Sequence, residues 1–128
     1  MTEAKEPSWL TVANVIAVHG EQLAMFGGLA GIRDAGLLES AVNRRDREGS
    51  DFATLAAAYA FAISRNHPFI DGNTRAAFAA MLIFLRINGI RFAAPSAEAT
   101  AVMLVLAAGE LDEDLLAMWI KDKWPVSG

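Results

Sequence analysis

Residues 55–63 (Leu-Ala-Ala-Ala-Tyr-Ala-Phe-Ala-Ile) and 76–85 (Ala-Ala-Phe-Ala-Ala-Met-Leu-Ile-Phe-Leu) are apolar on every side of a helix. A helix without a polar face has to be surrounded by protein rather than water. The longer run is too short to cross a bilayer, so the rest of the chain must cover it. The connection between the two is short, which predicts an αα-hairpin of adjacent, antiparallel helices at the centre of the fold. Polar residues concentrate in that connection, at the end of a buried hairpin, where each polar group needs a partner.

Elsewhere, period-3.6 spacing dominates and no alternating strand is present. Thr11 caps a first helix whose apolar positions are Val12, Val15, Ile16, Leu23 and Phe26, closed by Gly27 and Gly28. A loop over residues 29–33 leads to a second helix, which starts after Asp34 and carries Leu37, Leu38, Ala41 and Val42. Residues 44–50 (Arg-Arg-Asp-Arg-Glu-Gly-Ser) read as an exposed connection. Asp51 caps a third helix from Phe52 to about Arg65, and a fourth runs from Asn73 to Asn88, ended by Gly89. An extended stretch, 90–94, precedes a fifth helix opened by Pro95 and Ser96 and running to about Ala108. Gly109 stops it, Asp112 caps a sixth, and Pro125 limits that one. The prediction is an all-α fold of about six helices, with residues 1–128 as one domain.

Hydrophobic residues make up 54% of the chain and mean hydropathy is +0.30, but much of this is alanine, which favours helices that pack closely. The absence of cysteine excludes disulfides, a thiolate nucleophile and a Cys-based zinc site. The first residues, Met1 to Pro7, lack the basic and apolar regions of a signal peptide, so a cytoplasmic location is expected, with no membrane association. A formal net charge of −4 gives no electrostatic case for direct nucleic-acid binding.

The loop His67-Pro-Phe-Ile-Asp-Gly-Asn-Thr-Arg75 is where chemistry is expected. Gly72, just before a helix start, lets the backbone turn sharply and a ligand approach closely. The first turn of the following helix presents unpaired N–H groups and the positive end of the helix dipole, an anion site before any side chain is considered. Arg75 in that turn can add a forked, permanently charged contact to phosphate. Asn73 can donate to phosphate or cap the helix. Asp71 is a hard oxygen ligand of the kind that holds Mg²⁺ together with phosphate oxygens. His67 carries an imidazole that could take a proton from an attacking hydroxyl. Pro68 restricts the backbone, and Phe69 is the apolar anchor. Taken singly, His-Pro and Asp-Gly-Asn are ordinary turn sequences. Together, within nine residues, they describe a phosphoryl- or nucleotidyl-transfer site.

This loop resembles the signature of the Fic/Doc superfamily, His-x-Phe-x-(Asp/Glu/Asn)-(Gly/Ala)-Asn-x-Arg. Phe26-Gly-Gly, Gly31-Ile-Arg-Asp34, Leu37-Leu-Glu-Ser-Ala41, Asn66-His-Pro-Phe69, Phe84-Leu-Arg-Ile-Asn-Gly89, Ala107-Ala-Gly-Glu110 and Trp119 extend the likeness to the Doc (death-on-curing) branch over nearly the whole chain. The resemblance implies a compact Fic-type helical domain with the motif loop between two core helices. It implies His67 as the base, Asp71 as the Mg²⁺ ligand, Gly72, Asn73, Thr74 and Arg75 as the nucleotide phosphate site, and Phe69 as the anchor. Doc proteins resemble toxins of toxin–antitoxin pairs that move the γ-phosphate of ATP to a threonine of elongation factor Tu and arrest translation. Fic proteins proper transfer AMP instead. The Fic pattern carries a second arginine where this chain has Phe78, which favours γ-phosphate transfer; position 74, lysine in most Doc proteins, is Thr74. No inhibitory (Ser/Thr)-x-x-x-Glu-(Gly/Asn) segment is found, so restraint is expected from a separate Phd-like antitoxin. An AMP-transferase and a catalytically silent antitoxin-binding domain are the alternatives.

Other residues read as structural. His19 has apolar helix neighbours, and the two histidines lack zinc-site spacing. Trp9, Trp119 and Trp124 are expected to pack, and Met25, Met81, Met103 and Met118 to lie in the core. The run from Arg44 to Glu48 reads as a solvated connection; the resemblance gives it a second use, as a flap that docks the target.

Overall fold

Helix starts in this chain are written locally. Thr11, Asp34, Asp51 and Asp112 each accept a hydrogen bond from a first-turn N–H through the side chain, as expected of such residues at the N-cap. At Thr11 the bond is reciprocal, because the Asn14 side chain accepts from the Thr11 N–H. In the computed structural model, which describes residues 7–44 and 49–123, these caps open α1 (Val12–Phe26), α2 (Ala35–Val42), α3 (Phe52–Asn66) and α6 (Glu113–Asp122). The other helices are α4 (Asn73–Ile87) and α5 (Ser96–Ala107). Among the described residues there is no strand, only an isolated bridge between Ile32 and Phe69. The all-α prediction matches this, and the ends expected for the first five helices move by a residue at most.

The two all-apolar helices are α3 and α4, and they pack on each other more extensively than any other pair. Helix α3 also meets α2, α5 and α6, while α4 meets α1 and α5. Alanines at 56, 57, 60, 76, 77 and 80 are sealed from solvent, which lets the two axes approach. Around them Ile63, Met81, Phe84, Leu85, Leu116 and Ile120 are fully buried. Tyr59 lies against Phe84 with ring centroids 5.1 Å apart, and its hydroxyl accepts from the Leu10 N–H at 2.9 Å. No helix among the described residues is long and apolar enough to cross a membrane.

Several expectations are corrected. Met81 and Met103 are core residues, but Met25 and Met118 are 70% and 65% exposed. Phe26, one of the apolar positions of the first helix, is 57% exposed. The physical reason is the same for Met25 and Phe26: the last turn of α1 runs past the core and forms one lip of the cleft described below. Trp9 and Trp119 do pack, half-buried against the core, and Trp119 Nε1 donates to Glu98 at 3.1 Å. Arg44 is only partly solvated and pairs with Glu113 at 2.7 Å. The expectations for residues 1–6, for Arg45 to Glu48, and for Trp124 and Pro125 lie outside the described residues.

Candidate active site

The loop joining α3 to α4 begins under constraint. His67 is the C-cap of α3 and sits in the left-handed region (φ 47°, ψ 56°), the one non-glycine residue with positive φ among those described. A following proline disfavours helical backbone at the residue before it, so this conformation costs roughly 1–3 kcal/mol and needs external support. Three bonds provide it. The His67 N–H donates to Ile63 O at 3.1 Å, His67 Nδ1 lies 2.7 Å from Ser64 O, and Arg33 Nε donates to His67 O at 2.6 Å. Arg33 also donates to Asn66 O at 2.8 Å, closing the carbonyl end of α3. A carbonyl can only accept, so Nδ1 of His67 carries a proton, and in the neutral ring Nε2 is the nitrogen left with a lone pair, on an exposed side chain.

Beneath the loop everything is matched. Phe69 is 1% exposed and Pro68 is sealed. The Asn73 carboxamide is buried and grips Phe69 twice: Oδ1 accepts from its N–H at 2.9 Å and Nδ2 donates to its carbonyl at 3.0 Å. The segment after α1 lines up along the outer edge, with Ile70 N–H donating to Gly31 O and the N–H groups of Arg33 and Asp34 sharing Pro68 O.

Above the loop the helix start is left open. Gly72 is the N-cap of α4, in the left-handed region at φ 74°, and supplies no side-chain cap. The helical ladder begins with Ala76 N–H to Gly72 O, so the N–H groups of Asn73, Thr74 and Arg75 come before it. They border a cleft of about 440 Å³ lined by Phe26, Gly27, Gly28, His67, Ile70 and residues 71–75. This is within the range of small-molecule sites. Asp71 is exposed at its rim; Oδ2 accepts from Leu29 N–H at 3.1 Å and Oδ1 from Gly72 N–H at 2.8 Å. Those two bonds, Leu29 first, and the Arg75 charge outweigh desolvation and hold its carboxyl below the usual aspartate range. Arg75 donates to Gly27 O at 3.1 Å and lies over the Phe26 ring at 5.1 Å, leaving donors for an anion. His67 also borders a second cleft of about 390 Å³, formed with Phe61, Ser64, Arg65 and the turn after α5.

A proton acceptor, an ionised carboxylate, an open helix N-terminus and an arginine thus meet at one cleft. The model of the Fic/DOC family matches residues 9–85, more than half of the chain. The chain belongs to the Fic/Doc family. It is 33% identical over 109 residues to "Protein kinase doc" of Escherichia phage P1, covering 80% of this chain and 85% of that protein. It is 45% identical over 75 residues to "Toxin Doc" of Mycolicibacterium smegmatis, covering 54% of this chain and 58% of the relative. Both relatives belong to the Doc branch.

The expected Fic/Doc site residues His67, Asp71, Gly72, Thr74 and Arg75 all line the first cleft. Asn73 lines it too, with its carboxamide engaged in pairing both backbone polar groups of Phe69 that the bend buries. Sequence reasoning missed Arg33, His19 and Gly28. A Cβ on Gly28 would stand 3.0 Å from Asp71 Oδ2 and 2.9 Å from Leu23, so glycine there lets the carboxylate dock on the segment that follows α1. The Gly-Gly pair that ends the first helix was the available signal, read as a stop and as part of the Doc likeness but not as a seat for Asp71.

Proposed function

We propose that this chain is a Doc-like toxin that transfers the γ-phosphate of ATP to a hydroxyl of a protein target, with elongation factor Tu as the expected acceptor and arrest of translation as the result. The observation that carries the reading is the open start of α4, with Arg75 beside it and Phe78 one turn on. Phe78 is half-buried against the core, so nothing at that position grips a distal phosphate. A relative named as a protein kinase supports the same choice between the two transfers.

In this reading the phosphate oxygens rest on the N–H groups opening α4, with the Arg75 fork alongside. Asp71 fits Mg²⁺ of the kind carried in with a nucleotide, since it is a single ionised carboxylate. Among the described residues no cluster of three metal-ligating side chains exists to hold an ion without one. Bound there, Mg²⁺ would neutralise phosphate charge. His67 Nε2 takes the proton of the acceptor hydroxyl as its oxygen bonds to the γ-phosphorus. The bond from that phosphorus to the β,γ-bridging oxygen breaks and ADP leaves. The position of His67 between two clefts supports entry of nucleotide and acceptor from different sides.

Incubation with elongation factor Tu and ATP labelled separately at the α and γ positions tests this. Incorporation of the γ label is expected, and incorporation of the α label would replace the kinase reading with AMP transfer. The partner expected to restrain the toxin is a Phd-like antitoxin encoded separately. Exposed Met25, Phe26, Leu29 and Ile70 near the cleft suit an apolar partner surface. Failure of the neighbouring gene's product to bind the purified chain would remove that pairing.

A further inference from the structure

His19 is a buried titratable side chain, 5% exposed, that the proposed transfer does not use. It stands on α1, 52 residues from the loop it touches, with Nε2 2.7 Å from Asp71 O. The carbonyl can only accept, so Nε2 carries the proton. The imidazole lies flat on Phe69, with centroids 3.7 Å apart and planes within 5°. A Cβ on Gly72 would stand 3.5 Å from that same Nε2. One ring therefore meets residues 69, 71 and 72 from below. Phenylalanine would supply the face without the donor, and glutamine the donor without the face.

We propose that His19 is a positioning residue of the loop: it holds the Asp71 peptide by its carbonyl and Phe69 by its ring, so that the Asp71 carboxylate and the amides opening α4 face the cleft together. The two histidines of the chain then carry their ring protons on opposite nitrogens. His67 is protonated on Nδ1, leaving Nε2 for chemistry; His19 is protonated on Nε2, which is committed to the backbone. This role deepens the phosphate-site reading and rests on it for one of two readouts.

The test uses the full chain, its His19→Phe and His19→Gln variants, and Mn²⁺–ATP as probe. In the ligand-free wild type, nitrogen NMR should find the Nε2–H form at His19. In His19→Phe, with the melting temperature retained, the Phe69 and Ile70 amides should exchange faster. Mn²⁺–ATP affinity should fall about 10–100-fold, the range seen when a ligand's supporting partner is lost. His19→Gln should recover part of that affinity. Wild-type exchange and affinity in a folded His19→Phe would overturn the proposal, as would an Nδ1–H form at His19 or equal losses in both variants that merely follow melting temperature. If the wild type binds no Mn²⁺–ATP, the phosphate-site reading fails separately, and the ligand-free tautomer and exchange still decide the role of His19.

Discussion

On the buried side of the loop, Phe69 and Pro68 are sealed, Asn73 matches both backbone groups of Phe69, and His19 closes against Asp71. On the open side, His67, Asp71 and Arg75 are exposed and the first N–H groups of α4 have no side-chain cap. Six residues of chain, 67–72, separate α3 from α4 and serve both sides. The buried side follows the rules of a core, in which every polar group is paired and every ring has a neighbour. The open side breaks those rules, with a strained His67 backbone and an uncapped helix. Such violations are tolerated where surrounding contacts over-determine the backbone, and they mark where a ligand would complete the pairing. Substitutions on the two sides should therefore separate loss of activity from loss of stability.

The largest effect is expected at His67. His67→Ala should lower transfer about 10²–10⁴-fold while the far-ultraviolet circular dichroism and nucleotide binding remain. Equal loss of both would erase the distinction between the sides. Phe69→Ala should do the reverse, lowering unfolding free energy by about 3–5 kcal/mol in urea titrations. Asn73→Ala leaves two buried backbone groups of Phe69 unpaired and should cost about 1–3 kcal/mol for each group left unmatched. Arg75→Ala should weaken ATP binding about tenfold, measured by calorimetry, with little change in melting temperature, because its contacts to Gly27 and Phe26 lie at the surface.

The smallest effect concerns pH. The folded chain holds the Asp71 carboxyl below its ordinary value. Its contribution is therefore fully present above the ordinary aspartate range and is lost as pH falls through the depressed folded value. Melting temperature should fall with acidification in that window, and Asp71→Asn should remove this residue's share of the slope. A steeper acid loss in Asp71→Asn than in wild type would contradict the assignment.

Much of the architecture was legible because it is local. An Asp or Thr before an apolar period caps a helix through its own first turn, and an all-apolar helix must be central wherever its neighbours lie. The exposed half of the site was legible for the same reason, since His67 to Arg75 are contiguous. The supporting half was not. Arg33 reaches the His67 carbonyl across 34 residues and His19 reaches Asp71 across 52, and helical periodicity carries no sign of such pairings. Periodicity also misplaced Met25, because a repeat tells which face is apolar but not where the helix outruns the core. The pairing of Asn73 with Phe69 was not legible either, because its side chain answers a need, four residues back, that appears only once the bend buries that backbone.

The proposed site is a preformed phosphate cradle whose chemistry depends on His67 but whose binding does not. The most direct measurement is a titration of amide-labelled His67→Ala with Mg²⁺–ATP, followed by NMR, beside a γ-label transfer assay on the same sample. The amides of residues 72–75 should shift on binding while transfer is lost. Unmoved amides at the start of α4, or undiminished transfer without His67, would contradict it.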